Sequence, residues 1–549
     1  MVSTFMGLET AKRALTTQQS AIATAGHNIA NANTLGYTRQ RVSLAATQGF
    51  PTVGQNSPVM PGHLGTGVQA DQVERIRDSF VDMQYRKESS KLGYWDSKAQ
   101  MLSQMENVMD ELSGTGISNS MDQFWNSLQD LATEPENEGA RRVVRERGSA
   151  LADTFKYMYS SLKAIQKDNR NELENTEDNI NSVLKQINQL NQQIGAVEPN
   201  GYLPNDLYDE RDRLLDSLST MMNIKVEAKS SGGLARASAE GLYDVYMATP
   251  EGDILTDSNG QPIKLIDAST RTANGIHIQF DSREELDSPV TSFKFFKLND
   301  DPTAKSKFDG IETDSDADAA NGVYTLNDFK ALNSQGKLKG VIEGYGYMEA
   351  GEIKGTYNAM FDDLDEMVYT FATAFNEVHR SGYSLNEIED GTARDIDFFS
   401  FTDSNITADN PKGAAGSIVL SKEILEDVDN IAAATESSAG NGTNALNLAK
   451  VKDSILDFGG NKTNVQAFYQ GVIGKLGEQA SEANRMEKTS GILKTSVEQT
   501  RMSVSGVSID EEMVDLIKYQ QAYNSAARMI TIVDEMLDKV INGMGVGGR

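Results

Sequence analysis

Apolar residues recur at intervals of seven near both ends of the chain. Leu8, Leu15, Ile22 and Ile29 stand seven apart, with Ala11 and Ala25 three residues after Leu8 and Ile22. Leu516, Tyr523, Ile530 and Leu537 repeat the interval at the other end, with Met513, Gln520 and Ala527 at the alternate positions. This spacing keeps a narrow stripe on one helix face, and the small residues within it permit close approach. An ordinary core helix can show the same pattern over so few repeats. Two stripes at opposite ends nevertheless predict that the termini meet as a helical pair, with the rest of the chain an excursion between them.

Between the ends the pattern changes several times. Residues 42–70 are rich in Gly, Pro, Thr and Gln without helical periodicity, which predicts an extended connector with strand-like pieces such as 65–76. From Asp78 a helical face resumes through Leu92, Trp95, Ala99, Leu102 and Met109. A Gly-containing break at 113–117 and Pro135 bound a second helix carrying Phe124, Trp125, Leu128 and Leu131. Residues 139–197 form the longest helical pattern. Leu173, Ile180, Ile187 and Ile194 are seven apart, with Thr176, Val183, Leu190 and Val197 at the alternate positions. At ~1.5 Å per residue this helix would be ~90 Å long, which no small core can bury and which predicts a rod-like bundle or coiled coil. Residues 205–226 predict an amphipathic helix of acids, Arg and Leu.

Near residue 226 the period drops to two. IKVEA, LYDVYMATP, GIHIQF and SFKFFKL alternate between Gly, Asn, Asp and Pro turns, which predicts a β domain of roughly a hundred residues. Helical spacing returns at 353–380 with Met360, Leu364, Met367, Phe371 and Phe375, and again at 463–504 in two registers, Val465–Val472–Met486–Leu493 and Tyr469–Leu476–Ala483–Val497. The chain therefore reads as nested hairpins: terminal helices outermost, then a helical bundle, then a β insertion.

Composition narrows the function. The 549 residues carry 51 basic and 80 acidic side chains, a net of −29, which disfavours nucleic acid or an anionic membrane as partner. Arg141, Arg142, Arg145 and Arg147 form a local basic cluster that reads as a solvated helix face. There is no Cys, which excludes disulfides and thiol chemistry, and no apolar run long enough to span a membrane. Polar residues interrupt the N-terminal pattern, so no cleavable signal peptide is expected. The four histidines are scattered without metal-ligand spacing. Asp314, Asp316 and Asp318 have the spacing of a calcium loop, but Ala319 stands where that loop needs Gly and Thr325 where it needs the twelfth-position acid. No phosphate-binding glycine motif and no nucleophile–base arrangement is present. The sequence therefore predicts no enzymatic activity, no metal and no cofactor.

The segment GHNIANANTLGYTRQ, residues 26–40, resembles the N-terminal signature of the axial proteins of the bacterial flagellum, and residues 505–537 resemble their closing signature. Residues 205–226, GKLKGVIEGYG and GYSLN are similar to segments of one family among them, the hook-associated protein 1 family. Leu35 departs from the motif, where Pro is expected, leaving the turn to Gly36 for its unusual backbone angles. The resemblance implies a mainly α protein: a long helical bundle or coiled coil formed by both chain ends, with an inserted β-rich domain. The expected division is a terminal assembly domain at 1–64 and 506–549, a helical bundle at 65–225 and 341–505, and a β-rich outer domain at 226–340. It implies a structural layer between hook and filament, with partners being further copies in a ring-like or helical oligomer, hook protein, the adjacent hook-associated protein, filament subunits, and a cytoplasmic export chaperone on the C-terminal helix. It also implies export to the extracellular flagellum without a cleaved signal. Another axial protein (hook or distal rod) and a secreted coiled-coil effector or adhesin are the rivals. The expected assembly residues are Leu8, Leu15, Ile22 and Ile29, Asn28, Asn31 and Asn33 (whose amides would pack on neighbouring subunits), Gly36, Tyr37, Met513, Leu516, Tyr523, Ile530 and Leu537.

Overall fold

The computed structural model describes residues 4–51, 55, 62–109, 116–299 and 306–543. Part of the 42–70 connector and most of the break at 113–117 lie outside them. The first helix, α1 (Thr4–Ala30), is followed by an antiparallel hairpin, β1 (Gln40–Ala46) and β2 (Val68–Arg75). Next come α2 (Ser79–Val108), whose first turn is capped by the Asp78 carboxylate accepting from the Phe80 N–H, α3 (Ile117–Thr133), α4 (Glu138–Val197) and α5 (Asn205–Met221).

The β region holds β3 (Ile224–Lys229), β4 (Leu242–Met247), β5 (Lys264–Asp267), β6 (Thr272–Phe280), β7 (Val290–Lys297), the short α6 (Asp314–Ala319), β8 (Tyr324–Leu326), α7 (Lys337–Tyr345), β9 (Tyr347–Glu349) and β10 (Glu352–Lys354). One sheet runs β10-β9-β7-β6-β5-β4-β3, with β8 on β7. It is antiparallel except where β7 meets β9. After α8 (Thr356–Arg380) comes a loop-rich stretch with α9 (Leu385–Asp390), β11 (Phe399–Phe401), α10 (Ala414–Ser417), β12 (Ile418–Leu420), α11 (Lys422–Glu426), α12 (Thr443–Lys450), β13 (Leu456–Phe458) and β14 (Asn461–Thr463). Two long helices close the chain, α13 (Val465–Ser505) and α14 (Ile509–Asp538).

The 60 residues of α4 are one continuous helix that serves two cores. Its first half, through Val144, Leu151, Phe155, Met158 and Leu162, packs with α2, α3, α8 and the start of α13. There Phe124, Trp125, Phe371, Phe375, Phe398 and Phe399 form one aromatic cluster, its rings in tilted and edge-to-face contacts. Its second half, through Leu173, Ile180, Leu184 and Ile187, packs with α5, α7 and the inner face of the sheet.

Of the alternate positions expected for α4, Thr176 and Leu190 are buried and Val183 packs against the core, and beside them runs a buried polar row. Strand β5 pairs with β6 only at Ala273 and Thr272, so the backbone of β6 beyond is left open on that side. Side chains of α4 cover it. Asn181 donates to the Ile276 carbonyl at 2.8 Å and accepts from the Ile276 N–H at 2.8 Å, and Glu177 accepts from the Ile278 N–H at 3.0 Å. Further along, Asn188 and Asn191 donate to the carbonyls of Arg271 and Tyr243. A buried backbone group without a partner costs free energy comparable to a lost hydrogen bond, so the amides of α4 act as a surrogate strand. This is a helix-on-sheet contact rather than a coiled coil.

One reading of charge is corrected. Arg141 is buried, not solvated: it donates to the carbonyls of Pro135 (2.8 Å) and Ile431 (2.7 Å). Burial, only partly offset by Asp429 and Asp427, pushes its guanidinium down to about 10. Residues 314–319, the acidic run, form α6, capped by Thr313 in a reciprocal box with Asp316, while Asp318 pairs with Arg283 at 2.5 Å.

Candidate assembly interface

The termini do meet. Helices α1 and α14 pack antiparallel: Gly7 lies against Val533 at one end, and Arg39, just beyond α1, reaches Ser505 and Glu512 at the other. Ala11, Thr17, Ala21, Ala25 and Asn28 are the buried positions of α1; Glu512, Ala526 and Val533 are those of α14. Leu8, Leu15, Ile22 and Ile29, and opposite them Leu516, Tyr523, Ile530 and Leu537, are only half-buried. Met513 is 46% exposed and Gln520 is exposed, so the second column of the α14 seam is Glu512, Tyr519, Ala526 and Val533, one residue earlier than its spacing predicts. That rotation brings the Glu512 carboxylate to Arg39 Nε (2.7 Å) and sets the small Ala526 toward the alanines of α1.

The turn after α1 closes on itself. The Asn28 Oδ1 accepts from the Gln40 N–H (3.0 Å) and the Tyr37 hydroxyl (2.8 Å), and its Nδ2 donates to the Gln40 carbonyl (2.8 Å). His27 Nδ1 lies 3.0 Å from the same hydroxyl. The Asn31 amide donates to the His27 carbonyl and accepts from the Thr34 hydroxyl, and Asn33 is exposed. The amides of Asn28 and Asn31 are thus engaged within the chain, as a helix stop. Gly36 adopts φ +82°, the left-handed conformation its place in the turn requires. Burial, with Asp209, Asp206 and Glu512 nearby, pushes the Tyr37 hydroxyl well above its ordinary range.

Below this turn lies a charge network that composition does not reveal. Arg75, at the end of β2, is buried and pairs with Asp209 (2.6 Å), Asp212 (2.8 Å) and Glu240. Arg77 holds Asp82 (2.6 Å) and Asp212; Arg86 holds Asp212 (3.1 Å) and Asp216 (2.9 Å); Arg501 holds Asp82 (3.1 Å) and Asp216 (2.7 Å). The hairpin, α2, α5 and α13 are thereby fastened together where the terminal pair joins the body. Burial alone would raise the Asp212 carboxyl, but Arg77, Arg75, Arg86 and Arg211 hold it well below the usual carboxylate range. The signal was present in the sequence: Asp209, Asp212 and Asp216 share one face of α5, beside the apolar Leu214, Leu215 and Leu218.

Among the described residues no cluster of His, Asp or Glu could hold a metal ion, and no helix is long and apolar enough to cross a membrane. What the geometry offers is a helical pair with a partly open seam, anchored by ion pairs to an elongated body. That is the build of a polymer subunit, and the comparisons place it among the axial structural proteins of the flagellum. Residues 8–38 match the family described as flagella basal body rod protein, residues 498–543 the flagellar basal body rod FlgEFG protein C-terminal family, and residues 102–399 the flagellar hook-associated protein FlgK helical domain. The chain is 43% identical over 552 residues to flagellar hook-associated protein 1 of Bacillus subtilis, covering all of both chains. It is 24% identical to that of Escherichia coli, covering 97% of this chain and 99% of the relative. The chain belongs to the flagellar hook-associated protein 1 (FlgK) family, whose members are structural rather than enzymatic. A solved structure, described as the flagellar hook junction protein FlgK from Burkholderia pseudomallei, superposes with a TM-score of 0.56 at 14% identity, covering 77% of this chain and all of that one, and shares the fold.

Proposed function

We propose that copies of this chain form the layer between hook and filament on which the filament grows. The observation that carries this is the half-open seam. Eight large side chains, four on each terminal helix, are only half-buried in the isolated chain, and Met513, Ile517, Met529, Ile532 and Met536 of α14 are about half exposed. Apolar surface of that extent on one element marks a contact site, and neighbouring copies in a tube would cover it. The assembly residues are then Leu8, Leu15, Ile22, Ile29, Met513, Leu516, Tyr523, Ile530 and Leu537, with Asn28, Asn31, Asn33, Gly36 and Tyr37 shaping the turn that presents them. In this reading 1–64 and 506–549 assemble, 65–225 and 341–505 form the body, and 226–340 faces outward. Hook protein lies on one side of the layer and the next hook-associated protein and filament subunits on the other. The chain reaches this place by export without a cleaved signal, its C-terminal helix held by a chaperone beforehand. Purified protein mixed with isolated hooks should add a stable layer at one end only; a coat at both ends or none would refute the reading.

A further inference from the structure

The two ends of the terminal pair differ: one presents an exposed apolar side chain near carboxylates of α5, the other an apolar groove near a cation of α1. Leu35, at the tip of the turn after α1, is 87% exposed, more than any other large apolar side chain among the described residues. Its backbone is held: the Tyr37 N–H donates to the Thr34 carbonyl, the Thr34 N–H to the Asn31 carbonyl, and the Tyr37 hydroxyl to Asn28. It is therefore a fixed knob. Leu35 borders a hollow of about 220 Å³ that Asp206, Glu210 and Arg213 also line; Arg213 pairs with Glu210, whereas Asp206 has no ion-pair partner among the described residues.

At the opposite end of the pair lies an apolar groove of about 450 Å³, lined by the small Gly7, Ala11, Ala14 and Ala526 and by the larger Met6, Leu64 and Met529, with Thr10 and Gly65 completing it. Four of its lining residues carry no side chain larger than a methyl group, which leaves room for a bulky apolar group. A second groove adjoins it, sharing Met6 and Thr10, and contains Lys12 and Arg13. Arg13 pairs with Glu9, whereas Lys12 has no ion-pair partner among the described residues. Knob and groove cannot meet within one chain, because most of the length of α1 separates them, roughly 30 Å at ~1.5 Å per residue. A second copy displaced along the pair brings them together.

We propose that Leu35 of one copy seats in the Gly7–Ala14–Ala526 groove of a second copy, with Asp206 facing Lys12 across the contact; this rests on the reading of the chain as a self-assembling junction protein. The contact is heterologous: knob and groove lie on different surfaces, so each copy keeps one of each free. Such contacts propagate in rings or helices rather than ending at a dimer. The opposed charges at its edge fix which end meets which.

The chain has no Cys, so a pair of introduced cysteines reports the contact on a clean background. Leu35→Cys combined with Ala14→Cys should give covalent dimers and higher multiples in oxidised, isolated flagella, whereas each single variant stays monomeric. Monomer only, with the double variant present at the junction, overturns the contact. A second arm does not depend on cross-linking. Lys12→Glu and Asp206→Lys should each lower the fraction of cells with filaments several-fold, and the two together should restore it. Single variants without loss, or a combination no better than either alone, overturns the charge pairing and with it the assigned partner. Absence of the wild-type chain from the junction would instead overturn the functional reading on which the contact rests.

Discussion

Asp212 sits at the centre of the joint, within hydrogen-bond reach of Arg75, Arg77 and Arg86. Removing one member of a buried charge network leaves the others uncompensated, so Asp212→Asn is expected to lower stability by about 3–5 kcal/mol, read as a shift in the urea midpoint at neutral pH. An unchanged midpoint would mean that water replaces the lost charge. His379 makes a different prediction. It is buried, its Nδ1 donates to the Ile396 carbonyl (2.8 Å) and its Nε2 accepts from the Ala432 N–H (3.0 Å), and burial pushes it down from 6.5 to about 4. The unfolded chain therefore binds a proton between about pH 6.5 and 4 that the folded chain refuses, and stability falls as pH falls through that window, by about 3 kcal/mol at ~1.4 kcal/mol per unit. Asp365 works in the opposite sense. Burial, against the N–H groups of Gly413 and Ala415, raises it to about 6, so its stabilisation is present at low pH and lost as pH rises from about 4 to 6. His379→Gln keeps one donor and one acceptor, and should show a shallower acid loss between pH 6.5 and 4 than the parent. Parallel pH profiles would remove His379 from the account.

Two neighbouring residues of α14 separate pairing from assembly. Val533 is 5% exposed and faces α1, whereas Ile532 is half exposed on the far side. Val533→Asp should open the pair in the monomer, seen as lost amide protection in both terminal helices, because it forfeits roughly 1.5–3 kcal/mol of apolar burial and buries a charge. Ile532→Asp should leave that protection intact and still abolish the junction layer. Equal loss of protection would mean that the outer face is already covered within the chain. The elements themselves were legible where a single periodicity governs: the limits of α4, the α8 face and the meeting of the termini follow from spacing alone. The α14 register was not, because Gln520 and Tyr519 are equally compatible with a seven-residue repeat and only the reach of Glu512 to Arg39 chooses between them. Nor was the role of Asn181, Asn188 and Asn191, since a polar residue on a helix gives no sign that a half-paired strand will lie against it. Arg141 misled for a related reason. Four arginines in seven residues look solvated until the carbonyls of Pro135 and Ile431, the latter nearly three hundred residues away, are brought to one of them.

At the scale of the molecule, α4 is a beam shared by two cores, and neither can be removed without uncovering it. Replacing 226–340 by a short linker should expose Leu173, Ile180, Leu184 and Ile187, and give a protein that binds hydrophobic dyes, loses part of its helical circular dichroism and tends to aggregate. A monomeric variant with undiminished helix content would show that the lower half of α4 stands without the sheet. The antiparallel seating of Gly7 against Val533 has a further consequence, for the order in which the chain acquires structure. These partners are separated by more than five hundred residues. Loop-closure entropy grows with that separation, and contacts between distant segments form late. The body contains shorter-range pairings, such as α3 with the first half of α4 and the β6–β7 hairpin, that can form before the last helix is available. Completing them draws the two ends together and lowers the entropic cost of their meeting. The seam proposed above to meet other subunits is therefore built from two segments far apart along the chain, so a chain cut before α14 has no paired seam to offer, and on that proposal polymerisation would depend on both helices being present without any separate proofreading device.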